Sequence, residues 1–163
     1  LGMGRIGQHV ARMYKAVGAQ VRAYDPFVTE SFVELTSLDD ILENSDVVSL
    51  HLPLSADTAN LIHKDVLARM RKGAVVVNVS RGGLIEESAL AEALTSGHIA
   101  GAGIDTFAEE PLAAEHPLRS APNTILTPHI AWRSNRSTGA LQEGAVERVR
   151  LALTGQPLID LVN

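Results

Sequence analysis

The stretch VVVNVSRGGLIEESAL, residues 75–90, decides the fold of this chain. It begins as an uninterrupted apolar run, which is typical of a strand buried on both faces of a parallel sheet. It ends in residues of high helix propensity that continue to position 94. Arg81 and two glycines stand between the two, just past the carboxyl end of the predicted strand, where ligands bind in open α/β sheets. Taken alone, Arg81 is equally well explained as a surface residue of a loop.

Length and composition restrict the class of protein. The 163 residues suffice for one domain with its own core, and 45% hydrophobic with only 4% aromatic residues suits an α/β protein built on aliphatic side chains. A formal net charge of −5 with scattered basic residues excludes a nucleic-acid-binding surface. No apolar run approaches the roughly 18 residues of a membrane span. Cysteine is absent, so we expect a soluble, cytoplasmic protein without disulfides or cysteine metal sites.

Strand and helix patterns alternate along the whole chain. Besides the strand that begins at Val75, apolar runs predict strands at 20–24, 46–52, 99–105 and 124–127. Helical patterns follow Gly7 and recur at 38–42, 64–70 and 135–153, and the proline-containing segment 108–123 is predicted to be a loop. This alternation predicts a Rossmann-type, doubly wound parallel α/β sheet.

The first seven residues, LGMGRIG, form a G-x-G-x-x-G motif directly before a predicted helix. In a dinucleotide-binding domain, Gly2 permits the tight turn, Gly4 lets the backbone approach a pyrophosphate, and Gly7 lets the helix pack on the sheet. The N–H groups at the start of the helix, at Arg5 and Ile6, then hold the phosphates. The motif therefore predicts a dinucleotide site.

An acidic residue, Asp25, ends the next predicted strand, 18 positions after Gly7. This spacing suits hydrogen bonds to the adenosine ribose hydroxyls and favours NAD over NADP. The strand that should precede the glycine motif is represented by Leu1 alone, although that strand is central in the order 3-2-1-4-5-6. Unpaired buried groups on its two neighbours would each cost about 1–3 kcal/mol. We expect the chain to be a piece of a two-domain protein that does not fold alone.

Three polar residues, Arg81, Glu110 and His129, follow three successive predicted strands. The carboxyl ends of parallel strands meet at one edge of the sheet, so these side chains can converge. Arginine binds carboxylates bidentately, histidine exchanges protons near neutral pH, and a glutamate can orient that histidine and favour its charged form. With NAD, the three groups predict hydride transfer between 2-hydroxy and 2-keto acids.

Simpler explanations exist for individual residues. Glu110, next to Glu109, could be a solvated charge, and His129 could be a structural loop residue. Asp105 could cap a loop or bind the nicotinamide carboxamide. No His-x-His pair or acidic cluster predicts a metal site. Four further histidines are expected to serve surface or packing roles: His9, His63, His98 and His116.

Five motifs occur in order along the chain: G-M-G-R-I-G at 2–7, H-L-P-L at 51–54, V-N-V-S-R-G-G-L-I at 77–85, G-I-D-T-F with Glu110-Pro111 at 103–111, and T-P-H-I-A at 127–131. Together they closely resemble the D-isomer-specific 2-hydroxyacid dehydrogenases. The resemblance implies that Arg81 binds substrate, Glu110 partners the histidine and His129 is the acid/base. It implies NAD as cofactor, held by Gly2, Gly4, Arg5, Ile6, Gly7, Asp25, Pro53, Ser80, Asp105 and His129.

The resemblance also implies an organisation. Residues 1–155 would form the NAD-binding domain, and 156–163 would start the return to an absent substrate-binding domain. Family members usually dimerise through the NAD-binding domain and act on small 2-keto or 2-hydroxy acids. With Trp132 directly after the T-P-H-I-A motif, the chain resembles the glycerate/hydroxypyruvate branch of the family and the related C-terminal-binding-protein corepressors. An NAD-binding corepressor is therefore the alternative function. Trp132 could shape the substrate pocket or pack at a dimer interface.

Overall fold

The computed structural model describes residues 1–158, which divide after His129 into two compact units. All strands belong to the first unit and pair in parallel, in a four-stranded sheet of order β3-β4-β5-β6 and a two-stranded sheet β1-β2. This confirms the predicted parallel α/β architecture. The strands are β1 (Arg22–Ala23), β2 (Glu34–Leu35), β3 (Val47–Leu50), β4 (Val75–Asn78), β5 (Gly101–Ile104) and β6 (Thr124–Leu126).

Helices alternate with these strands. They are α1 (Arg5–Ala16), α2 (Leu38–Asn44), α3 (Lys64–Arg69) and α4 (Glu87–Thr95), with short 3₁₀ turns at Gly82–Leu84 and Pro117–Arg119. Local signals explain their ends. Ser37 Oγ accepts a hydrogen bond from the N–H of Asp40 at 3.1 Å and so caps α2. Gly18 follows α1 with φ +88°, a conformation that suits glycine after a helix.

The strand β4 lies in the middle of the core. In the sheet register, Val76 stands beside Val48 of β3 and Ala102 of β5, and all three are buried. The other face of β4, at Val75 and Val77, is only half-buried. The expectation that both faces of this strand are buried is therefore wrong for this face. On that face Val77 lies beside Gly103, which has no side chain to cover it.

Two strands differ from the sequence prediction. The strand predicted at 20–24 is reduced to β1, two residues long, and β2 has no counterpart in the prediction because two residues are too few to show an alternating pattern. β1 and β2 pair with each other in a sheet of their own. Their sheet is separated from β3 by a cavity of about 540 Å³ at the place expected for the strand before the glycine motif.

Leu1 and Gly2 cross one end of this cavity and hydrogen-bond to both sheets. The N–H of Gly2 donates to Tyr24 O at 2.9 Å, and the N–H of His51 donates to Leu1 O at 2.8 Å. The amino group of Leu1 donates to Ser49 O at 2.7 Å. Leu1 therefore occupies the position of a strand residue between the two sheets.

The second unit contains one long helix, α5 (Asn135–Leu153), with the bounds predicted from sequence. Ser134 and Ser137 cap it reciprocally, each side chain accepting from the other's backbone N–H, at 3.0 and 2.7 Å. Trp132 precedes the helix and is half-exposed. The expected return to another domain lies partly in residues 159–163, outside the described residues. Among residues 1–158, no helix combines the length and the apolar character needed to cross a membrane.

Candidate functional site

The loop that carries Arg81 is shaped by the last residue of β4, Asn78. Its side chain is buried, at 1% exposure, and both of its polar ends are used within the loop. Nδ2 donates to Arg81 O at 2.8 Å, and Oδ1 accepts from the N–H of Ser80 at 3.0 Å. This role of Asn78 was not predicted from the sequence, although a single amide at the end of an apolar strand is a usable signal.

Side chains of this loop join it to the neighbouring strand end. Ser80 Oγ donates to Leu52 O at 2.5 Å, which places the loop beside the segment that contains Pro53. The Arg81 side chain is exposed, and its Nη1 donates to Ser80 O at 2.7 Å. The guanidinium therefore lies against its own loop.

Gly82 brings the Arg81 loop into contact with the loop that follows β5. A Cβ atom on Gly82 would lie 1.9 Å from the carbonyl carbon of Phe107 and 2.2 Å from the nitrogen of Ala108. Only a residue without a side chain permits two backbones to approach this closely. Arg81 is thus held one residue away from the loop that contains Glu110.

Glu110 and His129 are in direct contact, as the analysis of the strand ends anticipated. Glu110 Oε2 lies 2.9 Å from His129 Nδ1, and Oε1 accepts from the N–H of Phe107 at 3.0 Å. The pKa of Glu110 is lowered from its ordinary value, first by the Phe107 hydrogen bond and then by His129. Glu110 therefore faces His129 as a carboxylate, which makes Nδ1 of the imidazole the donor.

The backbone of His129 has φ 52°, in the left-handed region that non-glycine residues rarely adopt. Its N–H donates to Asp105 O at 2.8 Å and to Thr127 O at 3.0 Å, which holds this conformation. Asp105 is itself 2% exposed, and its Oδ1 accepts a short hydrogen bond from Thr127 Oγ1. Asp105, just after β5, thus bonds both Thr127 and His129, which follow β6.

The glycine loop has the form that a dinucleotide phosphate requires. Gly2 has φ +88°, and a Cβ on it would lie 2.5 Å from His51 O. A Cβ on Gly7 would lie 2.0 Å from Gly2 O, so this glycine allows α1 to pack against the loop. Around Gly4, by contrast, a Cβ would meet nothing within 4 Å, and α1 starts there without a side-chain cap. The N-terminal N–H groups of α1 at Arg5 and Ile6 thus fit an anion.

Asp25 is placed beside this loop. Its Oδ2 accepts from the N–H of Met3 at 2.7 Å and its Oδ1 from the N–H of Phe27 at 3.0 Å. A carboxylate has about four acceptor positions, so each oxygen can accept one more hydrogen bond, as ribose hydroxyls require. Asp25 therefore orders the glycine loop and still suits a ribose.

These contacts form one continuous series along the carboxyl edge of the sheets. Gly2 packs against the His51–Leu52 backbone, and Leu52 bonds Ser80. Gly82 packs against Phe107, which bonds Glu110, which in turn bonds His129. The series joins the glycine loop to the histidine through the Arg81 loop, although these segments are far apart in sequence.

Comparison with known proteins agrees with this geometry. Residues 1–131 match the family model described as "D-isomer specific 2-hydroxyacid dehydrogenase, NAD binding domain". The chain is 44% identical over 168 aligned positions to the D-3-phosphoglycerate dehydrogenase of Mycobacterium bovis, covering all of this chain and 32% of the relative. It is 39% identical to the hydroxypyruvate reductase of Blautia hydrogenotrophica, covering all of this chain and 52% of that protein.

A solved structure shows the same fold. It is the NAD-complexed D-isomer specific 2-hydroxyacid dehydrogenase of Lactobacillus delbrueckii ssp. bulgaricus, with a TM-score of 0.88 and 34% identity over 99% of this chain and 54% of that one. The chain thus spans between a third and about half of the length of these proteins. With its glycine loop, its parallel sheet and the matching family model, this chain belongs to the family of NAD-binding domains of the D-isomer specific 2-hydroxyacid dehydrogenases.

Proposed function

We propose that the protein carrying this chain is an NAD-dependent oxidoreductase that interconverts a D-2-hydroxy acid and the corresponding 2-keto acid, such as glyoxylate or hydroxypyruvate. The observation that supports this most directly is the Glu110–His129 hydrogen bond, 2.9 Å long, at the end of a contact series that begins at the glycine loop. An acid/base pair joined through one sheet edge to a phosphate-binding loop suits hydride transfer coupled to proton transfer.

Arg81 is the proposed substrate-binding residue. Its exposed guanidinium can form two parallel hydrogen bonds with a carboxylate and polarise the adjacent carbonyl. The hydrogen bonds of Asn78 to Arg81 O and of Ser80 to Leu52 O hold the backbone of the loop. The Arg81 side chain can therefore move to the substrate without a change in the loop backbone.

His129 is the proposed acid/base and Glu110 its partner. With Nδ1 directed at Glu110, the imidazole would exchange a proton with the substrate oxygen at Nε2. The carboxylate would accept from Nδ1 and so orient the ring. The hydrogen bond from Phe107 keeps Glu110 ionised and in place.

The proposed cofactor site comprises Gly2, Gly4, Arg5, Ile6, Gly7, Asp25, Pro53, Ser80, Asp105 and His129. The start of α1 would hold the pyrophosphate and Asp25 the adenosine ribose. When bound, NAD supplies the nicotinamide carbon that accepts or gives the hydride. Pro53, Ser80 and Asp105 would border the nicotinamide half.

The organisation proposed for the whole protein follows the family. Residues 1–155 would form the NAD-binding domain, and 156–163 would lead to a substrate-binding domain. We also propose a cytoplasmic homodimer joined through the NAD-binding domain. The alternative function, an NAD-binding corepressor, is less well supported, because the relatives compared above have enzyme names.

The test is turnover of glyoxylate, hydroxypyruvate and pyruvate with NADH by the protein as it is naturally expressed. His129→Asn should lower kcat by about 10²- to 10⁴-fold, the usual contribution of general acid–base catalysis, and should lower NADH affinity far less. Equal losses of both would contradict the assignment of His129. Glu110→Gln should also lower kcat, whereas Glu109→Gln, at the exposed neighbouring position, is the matched control and should not.

A further inference from the structure

A second histidine–carboxylate pair lies beside the loop that carries Glu110. Glu87, the first residue of α4, has a side chain only 10% exposed, and its Oε2 lies 3.1 Å from Nε2 of His116. The other carboxylate oxygen, Oε1, accepts from the N–H of Ala108 at 2.8 Å. The role of this pair is separate from those given above to Arg81, Glu110 and His129.

The hydrogen bonds of His116 define its tautomer. Nδ1 accepts from the N–H of Leu118 at 3.3 Å, where His116 caps the 3₁₀ turn Pro117–Arg119. Because a nitrogen that accepts an amide hydrogen carries no proton, the ring proton is on Nε2, the nitrogen that lies 3.1 Å from Glu87 Oε2. Leu118 is fully buried, so this orientation of the ring is anchored in the core.

Two consecutive amides of the loop are therefore held by two different carboxylates. The N–H of Phe107 donates to Glu110, and the N–H of Ala108 donates to Glu87. If the second hydrogen bond were lost, the segment from Ala108 to Glu110 would lose its backbone link to α4. The position of Glu110 relative to His129 thus depends on Glu87.

Glu87 also connects this loop to the Arg81 loop. It opens the helix that follows the Arg81 segment, and Gly82 of that segment packs against the same Phe107–Ala108 peptide. The Phe107–Ala108 peptide is thus contacted by two residues of the segment 82–87: Gly82 packs against it, and Glu87 accepts its N–H. We propose that Glu87, oriented by His116, is a positioning residue that holds Glu110 against His129 and keeps the Arg81 and Glu110 loops together, an inference that rests on the function proposed above.

Three variants of the naturally expressed protein test this. Glu87→Ala removes the acceptor for Ala108. His116→Asn keeps an acceptor for Leu118 in its Oδ1, since asparagine caps well, but loses the donor to Glu87. The matched control is Glu92→Gln on the same helix, whose side chain is 67% exposed and pairs with Lys64.

We expect Glu87→Ala and His116→Asn to lower kcat about tenfold or more, since small misplacements of reacting groups carry losses of up to about 10²-fold. KM for NADH should change little, so the loss should fall on kcat. His116→Gln, whose amide nitrogen can donate to Glu87, should recover part of the rate. Glu92→Gln should match the wild type.

If Glu87→Ala and His116→Asn lower the melting temperature but leave kcat unchanged, the pair is only structural and the inference is overturned. Hydrogen–deuterium exchange of residues 107–110 separates this failure from failure of the proposed function, because it needs no turnover. An inactive wild type would contradict the function, while faster exchange in both variants would still support positioning of the loop. Exchange identical to that of the wild type would overturn the positioning role.

Discussion

Buried polar side chains differ in how fully their hydrogen-bonding groups are used. Asn78 uses both ends of its amide, and Asp105 accepts from Thr127. In the described part of the chain, Thr106 is different: it is 2% exposed and its hydroxyl has no hydrogen-bond partner. A buried hydroxyl without a partner is unfavourable, because it has lost water and gained nothing in exchange.

Thr106→Val should therefore raise the free energy of unfolding by about 1 kcal/mol, at the low end of the cost of an unsatisfied buried group. Valine has nearly the same shape and lacks the hydroxyl. Denaturant unfolding of the naturally expressed protein measures the change. Thr127→Val is the control, since it leaves the buried carboxylate of Asp105 with one donor fewer and should be destabilising. A destabilised Thr106→Val protein would show that the hydroxyl has a partner in solution.

His51 gives a pH dependence of stability. Burial lowers the pKa of His51 from 6.5 to about 4. Between these values the unfolded chain binds a proton that the folded chain does not, so stability falls as the pH drops from about 6.5 to about 4. Below that range the group contributes no further change.

The measurement is denaturant unfolding at several pH values across this range. His51→Gln keeps an amide that can reach Ser49 Oγ, the partner of His51 Nε2 at 2.9 Å, but it does not titrate. Its stability should therefore depend less on pH than that of the wild type. Parallel curves for the two proteins would contradict the lowered pKa.

Among the elements, the loops after β4 and β5 matter most for the site because their backbones touch. Sequence patterns located both loops, since an apolar strand followed by glycines or by an acid is a local signal. They did not reveal that Gly82 contacts Phe107, because that contact joins two loops through packing of the sheet. The same limit explains why β2 was missed, since two residues have no periodicity to read.

Gly82→Ala should destabilise the protein by about 1–3 kcal/mol, as overpacking does in a well-packed interior, and should lower kcat by separating the Arg81 and Glu110 loops. Denaturant unfolding and steady-state turnover measure the two effects. Gly139→Ala is the matched control. A Cβ on Gly139 meets nothing within 4 Å in the helix α5, so it should be neutral or stabilising by up to about 1 kcal/mol. Normal turnover in Gly82→Ala would contradict the proposed role of this contact.

For the whole molecule, the main feature is the opening of about 540 Å³ between β1 and β3. The edges of both strands face it, and among the residues that line it are Val10, Ala11, Val21 and Val48. An extended apolar segment would fill this volume and pair with both edges. The glycine motif predicts this position, because such a motif follows a central strand.

The chain of residues 1–163, expressed alone, should lack a cooperative thermal transition. Adding a short extended apolar segment before Leu1 should produce one, since it would pair the edges of β1 and β3. Circular dichroism during heating measures both. The control adds a segment of the same length rich in glycine and serine, which should not restore cooperativity. A sharp transition in the unextended chain would contradict this expectation.

Apart from the two-residue strand β2, the sequence by itself determined the order of strands and helices, the parallel sheet and the three strand ends that carry Arg81, Glu110 and His129. Each depends on periodicity, capping or glycine spacing within a few residues, which local interactions settle. Only the tertiary structure decided that Glu110 holds Phe107 and His129 at once, that Gly82 lies against the Phe107–Ala108 peptide, and that Glu87 of a distant helix bonds Ala108. These contacts join residues remote in the chain, and their distances are set by how the sheet and its helices pack.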